Sequence, residues 1–197
     1  MHVQPLPLPG LLLLTPRQHA DHRGIFYESF NTLTFAAATG LDIAFVQDNH
    51  SESRQGVLRG LHYQLPPHAQ GKLVRVVAGE VYDAVVDLRR GSATFGRWAA
   101  VRLDAASARQ LWIPPGFAHG FLTLSEQAVL LYKTTRHYHP EAERCLRWDD
   151  PRLAIPWPLR GAPILSARDQ AGQSLDALEP IAPDGERDEP RITPAGS

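Results

Sequence analysis

The sequence has few of the features that mark a secreted, membrane-bound or disulfide-stabilised protein. Of its 197 residues only one is cysteine, Cys145, so it can form neither an internal disulfide nor a zinc site built from several cysteines. The apolar run Leu11–Leu14 is too short to cross a bilayer. It also lacks the basic segment and the small-residue cleavage site of a signal peptide. We therefore expect a cytoplasmic protein that does not bind membranes.

An excess of charge of one sign is also lacking. Lysine and arginine number 20 and aspartate and glutamate 21, which gives a formal net charge of −1. Binding to nucleic acid would need a clustered basic excess, so no nucleic-acid partner is expected. Hydrophobic residues make up 43% of the chain, enough for a buried core in a single domain. These figures predict a globular protein that acts on a small molecule or on a protein partner.

The end of the sequence differs in composition from the rest. From Asp176 onward the chain is rich in proline and charge and loses its apolar periodicity. Such segments cannot bury enough apolar surface to offset the entropy of ordering. We therefore expect one domain over residues 1–176 and a disordered or loosely attached tail over residues 177–197.

Turn-forming residues separate many short apolar runs. The 15 glycines and 17 prolines are spread along the chain, which favours an all-β protein, an antiparallel sandwich or barrel. One helix is predicted at Thr32–Thr39, with Asn31 as its N-cap and Gly40 at its end. The predicted strands are 24–30, 43–49, 57–64, 72–78, 81–88, 98–103, 110–113, 119–124, 128–134 and 144–148.

Polar residues interrupt three regions where strands should be apolar. Arg59 and His62 lie in one such strand, and Lys72 begins the next. His119 follows a Pro-Pro-Gly turn, and Tyr132 ends an apolar run. A buried ionisable group must be paired, neutralised or functional. Together these residues indicate a candidate site.

Each of these residues also has a purely structural explanation. His62 could be a hydrogen-bonded histidine of the core or its rim, and Tyr132 a packing aromatic. Lys72 and Arg59 could be charges that protect an edge strand. Strict alternation places Arg59 and His62 on opposite faces, so a shared pocket requires a bulge or bend at Gly60.

Two further residues are equally open to both interpretations. Asp169 follows Ser166 at the spacing of a capping box, so its carboxylate could simply cap a turn. His119 could be a solvent-facing loop histidine. The residues alone therefore suggest a site without naming a reaction.

A larger set of motifs resembles a known family. The ordered series is DHRG (21–24), FVQDNHS (45–51), GVLRGLHYQ (56–64), QGKLVR (70–75), GSATFG (91–96), WIPPGFAHGF (112–121), LYK (131–133) and LSARD (165–169). From about Arg23 to about Leu175 the chain resembles the dTDP-4-dehydrorhamnose 3,5-epimerases. The resemblance implies a cupin-like antiparallel β-barrel or jelly roll with a few short helices.

The resemblance also implies an isomerase that needs no cofactor. Its substrate would be dTDP-4-dehydro-6-deoxy-D-glucose, inverted at C3 and C5 to give dTDP-4-dehydro-L-rhamnose for dTDP-L-rhamnose synthesis. Both carbons flank the C4 ketone, which makes their protons weakly acidic. Inversion then needs a base, a group that stabilises the enolate, and an acid on the opposite face. No hydride moves, and the chain has no glycine-rich dinucleotide motif.

By position, the resemblance assigns roles to individual residues. His62 would be the base, Tyr132 the opposing acid, Asp169 the group that orients His62, and Lys72 the cation at the C4 oxygen. Arginines would hold the diphosphate and Tyr138 would stack on the thymine. The implied substrate-binding residues are Arg23, Phe26, Glu28, Gln47, Asp48, Asn49, Arg59, Lys72, His119, Tyr138, Glu143 and Arg168, the last at a position that is often lysine in the family.

A metal site is not expected. A metal-binding cupin would offer a His-x-His pair with a following Glu, and a further histidine on a second hairpin. Here residues 62–64 read His-Tyr-Gln and only His119 fits the second motif, while His68, His137 and His139 fall outside the spacing. Two imidazoles without a carboxylate make a poor zinc or iron(II) site.

The resemblance further implies a homodimer in which residues 23–28 complete the neighbouring subunit's pocket. Several activities remain open at this point. The enzyme could invert C3 alone, or could be a sugar-nucleotide keto-isomerase. The chain could also be a non-catalytic sugar-nucleotide binding module or a metal-dependent cupin oxygenase.

Overall fold

The fold is described by a computed structural model, which covers residues 1–178 and residue 181. In chain order the strands are β1 (His2–Pro5), β2 (Leu12–Thr15), β3 (His19–Asp21), β4 (Gly24–Phe26), β5 (Gln47–Arg54), β6 (Leu58–Gln64), β7 (Lys72–Ala78), β8 (Glu80–Asp87), β9 (Trp98–Asp104), β10 (Gln110–Ile113), β11 (Phe117–Thr123), β12 (Gln127–Thr134) and β13 (Glu143–Cys145). The helices are α1 (Thr32–Thr39), α2 (Ala167–Gln170) and the 3-10 helices Pro140–Ala142 and Leu175–Ala177.

The strands form two main sheets. A six-stranded sheet has the order β1-β2-β10-β7-β12-β5, and a five-stranded sheet has the order β13-β6-β11-β8-β9. β3 and β4 form a separate hairpin. All pairings between these strands are antiparallel. The all-β prediction is therefore confirmed.

The core lies between the two sheets. Val74 and Leu130 of the six-stranded sheet belong to the same buried cluster as Val85 and Phe121 of the five-stranded sheet. Each of these side chains is nearly removed from solvent. Burial of one such side chain contributes roughly 1.5–3 kcal/mol, so this cluster is the main stabilising contact between the sheets.

Other segments cover the outer faces of the sheets. Phe35 of α1 packs with Trp112 and Phe45 over the six-stranded sheet, with ring centroids 5.8–6.0 Å apart. On the five-stranded sheet, the segment after β13 adds Leu153 and Trp157 to a second cluster. The two sheets therefore form the middle of a layered domain.

The predicted helix is confirmed to the residue. Asn31 Oδ1 accepts hydrogen bonds from the backbone N–H groups of Leu33 (2.9 Å) and Thr34 (3.2 Å). Gly40 ends the helix with φ of 73°, a left-handed conformation that glycine adopts without a steric cost. The predicted strands 72–78 and 110–113 also match β7 and β10.

Other boundaries differ for identifiable reasons. The prediction of a strand at 43–49 is wrong in its bounds, because Ile43 and Phe45 pack over the outer face and the strand begins at Gln47. β1 and β2 were not predicted, and β1 ends at a proline, Pro5. β1 is an edge strand, where proline is tolerated. β3 and the short helix α2 were also missed.

The proposed boundary between domain and tail falls close to two packed residues. Leu178 packs against the second core cluster, and Ile181 is 2% exposed within it. The Arg90 N–H donates to the Ile181 carbonyl at 2.8 Å. These contacts attach the chain to the domain beyond residue 176, while residues 179–180 and 182–197 lie outside the described part. In the described part no helix is both long and apolar enough to span a membrane.

A bulge in β6 changes which side chains share a face. On β11, His119 pairs with His62 and Phe121 pairs with Arg59, so two residues of β6 lie opposite Gly120. Gly60 has φ of 108°, and a Cβ there would lie 2.6 Å from the His119 carbonyl oxygen. Only glycine fits this close approach. The sequence required a bulge or bend at Gly60 if Arg59 and His62 were to share a pocket, and this bulge is present.

Candidate active site

A cavity of about 390 Å³ lies between the two sheets and collects most of the predicted site residues. β5, β7 and β12 line it from one sheet, and β6 and β11 from the other. Its lining residues are Gln47, Asn49, His50, Ser51, Arg59, His62, Tyr63, Gln64, Gln70, Lys72, His119, Gly120, Phe121, Leu130, Tyr132, Tyr138 and Glu143.

The polar residues of the cavity extend the inward faces of the core strands. Lys72 lies two residues before Val74 on β7, and Tyr132 lies two residues after Leu130 on β12. Alternation along a strand therefore points both side chains toward the interior. His119 occupies the equivalent place on β11. The hydrophobic pattern that builds the core thus also directs these groups into the cavity.

His62 contacts a buried carboxylate behind it. Its Nε2 atom lies 2.7 Å from Asp169 Oδ1. The Nε2 atom is shielded from solvent, whereas the side chain as a whole is 29% exposed. Because Nε2 is turned to Asp169, Nδ1 is the ring nitrogen that remains for a ligand. A carboxylate in this position sets the tautomer of the imidazole and increases its basicity.

Asp169 is held by α2 and by the bulge. Its Oδ2 accepts from the Ser166 hydroxyl at 2.7 Å, and its Oδ1 accepts from the Gly60 N–H at 3.0 Å. Burial opposes ionisation of this carboxyl, but the bonds from His62, Ser166 and Gly60 outweigh it and lower its pKa to about 2. The capping box expected from the sequence is present. The same carboxylate therefore both caps the helix and contacts His62.

Lys72 is a nearly buried cation. Its side chain is 8% exposed, and Nζ donates to the His62 carbonyl at 3.2 Å. Burial lowers the pKa of Lys72 to about 8, while Glu143 and Asp83 partly oppose the shift. Lys72 is therefore still mostly protonated at neutral pH and can stabilise negative charge in a poorly solvated cavity.

Tyr132 enters the cavity from the sheet opposite His62. Burial is the main cause that raises the pKa of its phenol; Glu143 and Tyr138 add to the shift and Arg59 opposes it. The phenol is therefore protonated at neutral pH. It can give up a proton to a carbanion but cannot serve as the resting base.

His119 also has a carboxylate partner. Its Nε2 lies 3.0 Å and 2.9 Å from the two carboxyl oxygens of Asp83, which is fully buried on β8. Asp83 was missed in the sequence, although it interrupts the apolar strand around it. Lys72 was singled out because a charged residue in an apolar strand must be paired, neutralised or functional, and the same rule would have identified Asp83.

The outer part of the cavity carries polar groups from loops and β5. Gln47 accepts from the Tyr138 N–H at 2.9 Å and donates to Asn49 at 2.9 Å. The Tyr138 hydroxyl donates to Glu143 at 2.7 Å. Arg168, which does not line the cavity, forms an ion pair with Glu143 and contacts the Tyr138 hydroxyl. Arg168 is therefore coupled to the cavity through Glu143.

Four predicted binding residues lie away from this cavity. The Asp48 carboxylate pairs with Lys133 at 2.9 Å and is 71% exposed. On the β3–β4 hairpin, Arg23 contacts Asp21, and Phe26 is 74% exposed. Glu28 accepts from Asn31 and Thr34 near α1. Their roles in binding remain predictions.

Several further lining residues were given no site role from the sequence, although all but Leu130 lie in its motifs: His50, Ser51, Gln64, Gln70, Phe121 and Leu130. Gln64 holds the loop near the cavity, because its amide donates to the His68 carbonyl at 2.6 Å and accepts from the His139 N–H at 2.8 Å.

This cavity differs from the others of the structure in the chemistry of its lining residues and not in its volume. Two other cavities of about 370 and 400 Å³ have similar sizes. The first is lined by residues such as Gln55, Arg102 and Pro158, and the second lies along the outer face near Phe30 and Arg75. His62 and His119, the two histidines that contact carboxylates among residues 1–178, both line the cavity between the sheets and neither of the other two.

One group of side chains lies close enough to be tested as a metal site. Ligand atoms of His62, Cys145 and Asp169 all fall within 4.8 Å of one another. Burial raises the pKa of the Cys145 thiol to about 12, with Asp169 and Glu143 adding to the shift, so the thiol is protonated. The Nε2 atom of His62 is already 2.7 Å from the carboxylate. These donors fit a close carboxylate–imidazole pair better than a metal centre.

The fold is an antiparallel β-sandwich, and the cavity between its sheets contains the side-chain types that acid–base chemistry uses. The family model for dTDP-4-dehydrorhamnose 3,5-epimerase matches residues 5–177. The chain therefore belongs to the dTDP-4-dehydrorhamnose 3,5-epimerase family. This finding confirms both the resemblance and the cupin-like fold expected from it.

Individual relatives agree with the family. The chain is 56% identical over 170 residues to dTDP-4-dehydrorhamnose 3,5-epimerase of Pseudomonas aeruginosa, covering 86% of this chain and 93% of the relative. A Legionella pneumophila epimerase solved with dTDP-4-keto-L-rhamnose is 47% identical, with a TM-score of 0.87 over 90% of this chain and 94% of that one. A 3'-monoepimerase from Streptomyces bikiniensis, solved with dTDP-quinovose, is 39% identical, with a TM-score of 0.83 over 89% of this chain and 88% of that one.

The environment of Lys72 leads to a prediction that requires no substrate. We expect its ammonium to titrate near pH 8, since burial disfavours the charged form. Lys72 is therefore a cation below pH 8 and neutral above it. The chain has two lysines, so nitrogen-15 NMR of lysine-labelled protein gives two signals, and a Lys133→Arg variant assigns them. A Lys72 midpoint above pH 10 would contradict this prediction.

Proposed function

We propose that this protein is an isomerase that inverts C3 and C5 of dTDP-4-dehydro-6-deoxy-D-glucose to give dTDP-4-dehydro-L-rhamnose. The observation that carries the proposal is that His62 enters one cavity from one sheet, while Tyr132 and Lys72 enter it from the other. Membership of the 3,5-epimerase family supplies the substrate and the carbon positions.

His62 serves as the base. Its Nδ1 atom removes the proton from C3 or C5, and the charge that develops on the imidazole lies against Asp169, whose carboxylate is ionised at all working pH values. A base oriented in this way contributes typically 10²- to 10⁴-fold to the rate. Because only protons move, the reaction needs no nicotinamide.

Lys72 stabilises the enolate. Deprotonation next to the C4 ketone places negative charge on the C4 oxygen, and a buried ammonium stabilises that charge more strongly than water does. The bond to the His62 carbonyl uses one of the three N–H donors of Lys72 and leaves others for the ligand. The base and the cation are thereby linked through a single backbone group.

Tyr132 gives its proton to the carbanion from the opposite face, and proton exchange with solvent then resets His62 and Tyr132 for the next inversion. Inversion requires that the carbanion be reprotonated on the face away from the base, and Tyr132 belongs to the sheet that faces β6. Its raised pKa keeps the phenol protonated until the carbanion forms. Arg59 and His119 hold the diphosphate, Gln47 and Asn49 contact the sugar or nucleotide, and Tyr138 stacks on the thymine.

Exchange with solvent deuterium tests the substrate and the chemistry together. When the substrate is incubated with the enzyme in D2O, we expect deuterium at both C3 and C5 of the product, detected by proton NMR and mass spectrometry. Label at C3 alone would identify a monoepimerase, the activity named for the Streptomyces bikiniensis relative. A product with its carbonyl at C3 would identify a keto-isomerase, and no exchange would contradict the proposal.

Replacement of the proposed acid should separate catalysis from binding. We expect Tyr132→Phe to lower kcat by about 100-fold or more, while the Kd of dTDP changes less than about threefold, because the phenol acts after binding. The matched control is Tyr82→Phe, since Tyr82 packs against Trp157 away from the cavity. Equal losses of rate and affinity would make Tyr132 a binding residue.

We further propose a homodimer in which the β3–β4 hairpin completes the neighbour's pocket. Every residue of β3 and β4 is exposed, and Ile25 and Phe26 are 61% and 74% exposed. A two-stranded hairpin is marginally stable alone, and exposed apolar residues on it favour packing against a partner. This arrangement would bring Arg23 and Glu28 to a second cavity. The cytoplasm is the proposed compartment, in keeping with the single buried cysteine.

Mixed dimers test this arrangement. We expect a heterodimer of Arg23→Ala and His62→Ala subunits, isolated through two different tags, to regain about half of wild-type kcat/KM, because one of its two pockets contains both native residues. Each variant alone forms two defective pockets. If Arg23 served its own pocket, the heterodimer would instead give half the activity of the Arg23→Ala homodimer.

A further inference from the structure

β5 carries a stripe of polar residues that continues past the cavity. Gln47, Asn49 and Ser51 alternate along the strand and line the cavity. Ser53 is the next residue on the same face, but it is only 4% exposed and does not line the cavity. A hydroxyl removed from solvent in this way needs a partner, so its contact is informative.

The partner of Ser53 is Arg59. The Arg59 Nε donates to the Ser53 hydroxyl at 3.0 Å, and a terminal nitrogen donates to the Glu52 carbonyl at 3.1 Å. Arg59 belongs to β6, so these bonds join the two sheets beside the cavity. No carboxylate pairs with Arg59 among the residues described, and its charge therefore remains available to an anionic ligand.

Some of the N–H donors of Arg59 are used by the protein and others are free. A guanidinium has five N–H donors in a rigid plane. Two of them are used by Ser53 and Glu52, so the plane is fixed on one side and the remaining donors stay available for a ligand. An arginine held in this way loses less side-chain entropy when it binds a diphosphate than a freely rotating one does.

We propose that Ser53 is a positioning residue that fixes the Arg59 guanidinium for the diphosphate of the substrate. This inference rests on the proposed function, because it takes the anion to be the diphosphate of a nucleotide-linked sugar. Ser53 itself touches neither the sugar nor the phosphates. Its effect is therefore confined to ligands that Arg59 binds.

Affinity for ligand fragments tests the inference. Removal of one hydrogen bond to a charged group should weaken binding by about tenfold. We expect Ser53→Ala to raise the Kd of dTDP and of inorganic pyrophosphate by about that factor and to leave the Kd of thymidine unchanged, as measured by calorimetry or ligand-observed NMR. KM should rise by a similar factor and kcat should change less than about twofold, because the reacting carbons lie elsewhere.

Control variants separate positioning from general damage to the fold. Ser53→Thr keeps the hydroxyl and should restore most of the pyrophosphate affinity. Ser174→Ala removes a serine that makes no cap hydrogen bond and lies outside the cavity, so its affinities should equal those of the wild type. A loss of thymidine affinity in Ser53→Ala that equals the loss for pyrophosphate would overturn the inference.

A double-mutant cycle gives the decisive comparison. If Ser53 acts through Arg59, then Ser53→Ala should cause no further loss of dTDP affinity in an Arg59→Ala background. An equal tenfold loss in both backgrounds would show that Ser53 acts independently of Arg59 and would overturn the proposal. Failure of the wild type to epimerise the sugar would refute the proposed function instead, while the pyrophosphate measurements would still decide the role of Ser53.

Discussion

The bulge at Gly60 is the constraint on which the candidate site depends. Without the extra residue in β6, alternation would turn either Arg59 or His62 away from the cavity. The bulge also brings the Gly60 N–H to Asp169, so one backbone irregularity places His62, Arg59 and Asp169. A side chain at position 60 would collide with the His119 backbone, which ties this geometry to glycine.

The site is built by placing charged groups where the core pattern would place apolar ones. Lys72, Asp83 and Asp169 are all nearly buried, and each has a partner that reduces the free-energy cost of burial. The two histidines share one arrangement, in which Nε2 lies against a buried carboxylate. Since these partners come from different strands and from α2, the cavity forms only when both sheets and the segment after β13 are packed together.

The sequence predicted the parts of the molecule that follow local rules. Helix α1 has its caps in place, and β7 and β10 have clear turn signals and apolar alternation, so their bounds were correct. Ile43 and Phe45 were misassigned because an apolar residue that covers a sheet resembles one inside a strand. Ser53 was missed because its importance depends on its contact with Arg59 on another strand, which local patterns do not report, whereas Asp83 was missed although it interrupts an apolar strand.

Burial acts on Lys72 and Tyr132 in opposite directions, and the difference suits their proposed tasks. It lowers the pKa of the ammonium and raises that of the phenol, because in each case it favours the neutral form. For Tyr132 the neutral form is the acid that the reaction needs. For Lys72 the neutral form cannot stabilise an enolate. The carboxylates of Glu143 and Asp83 oppose the effect of burial, and the pKa of Lys72 is about 8. A deeper cavity would hold the phenol still more firmly in its protonated form but would also neutralise the ammonium, and the acidic residues around Lys72 oppose the second of these effects.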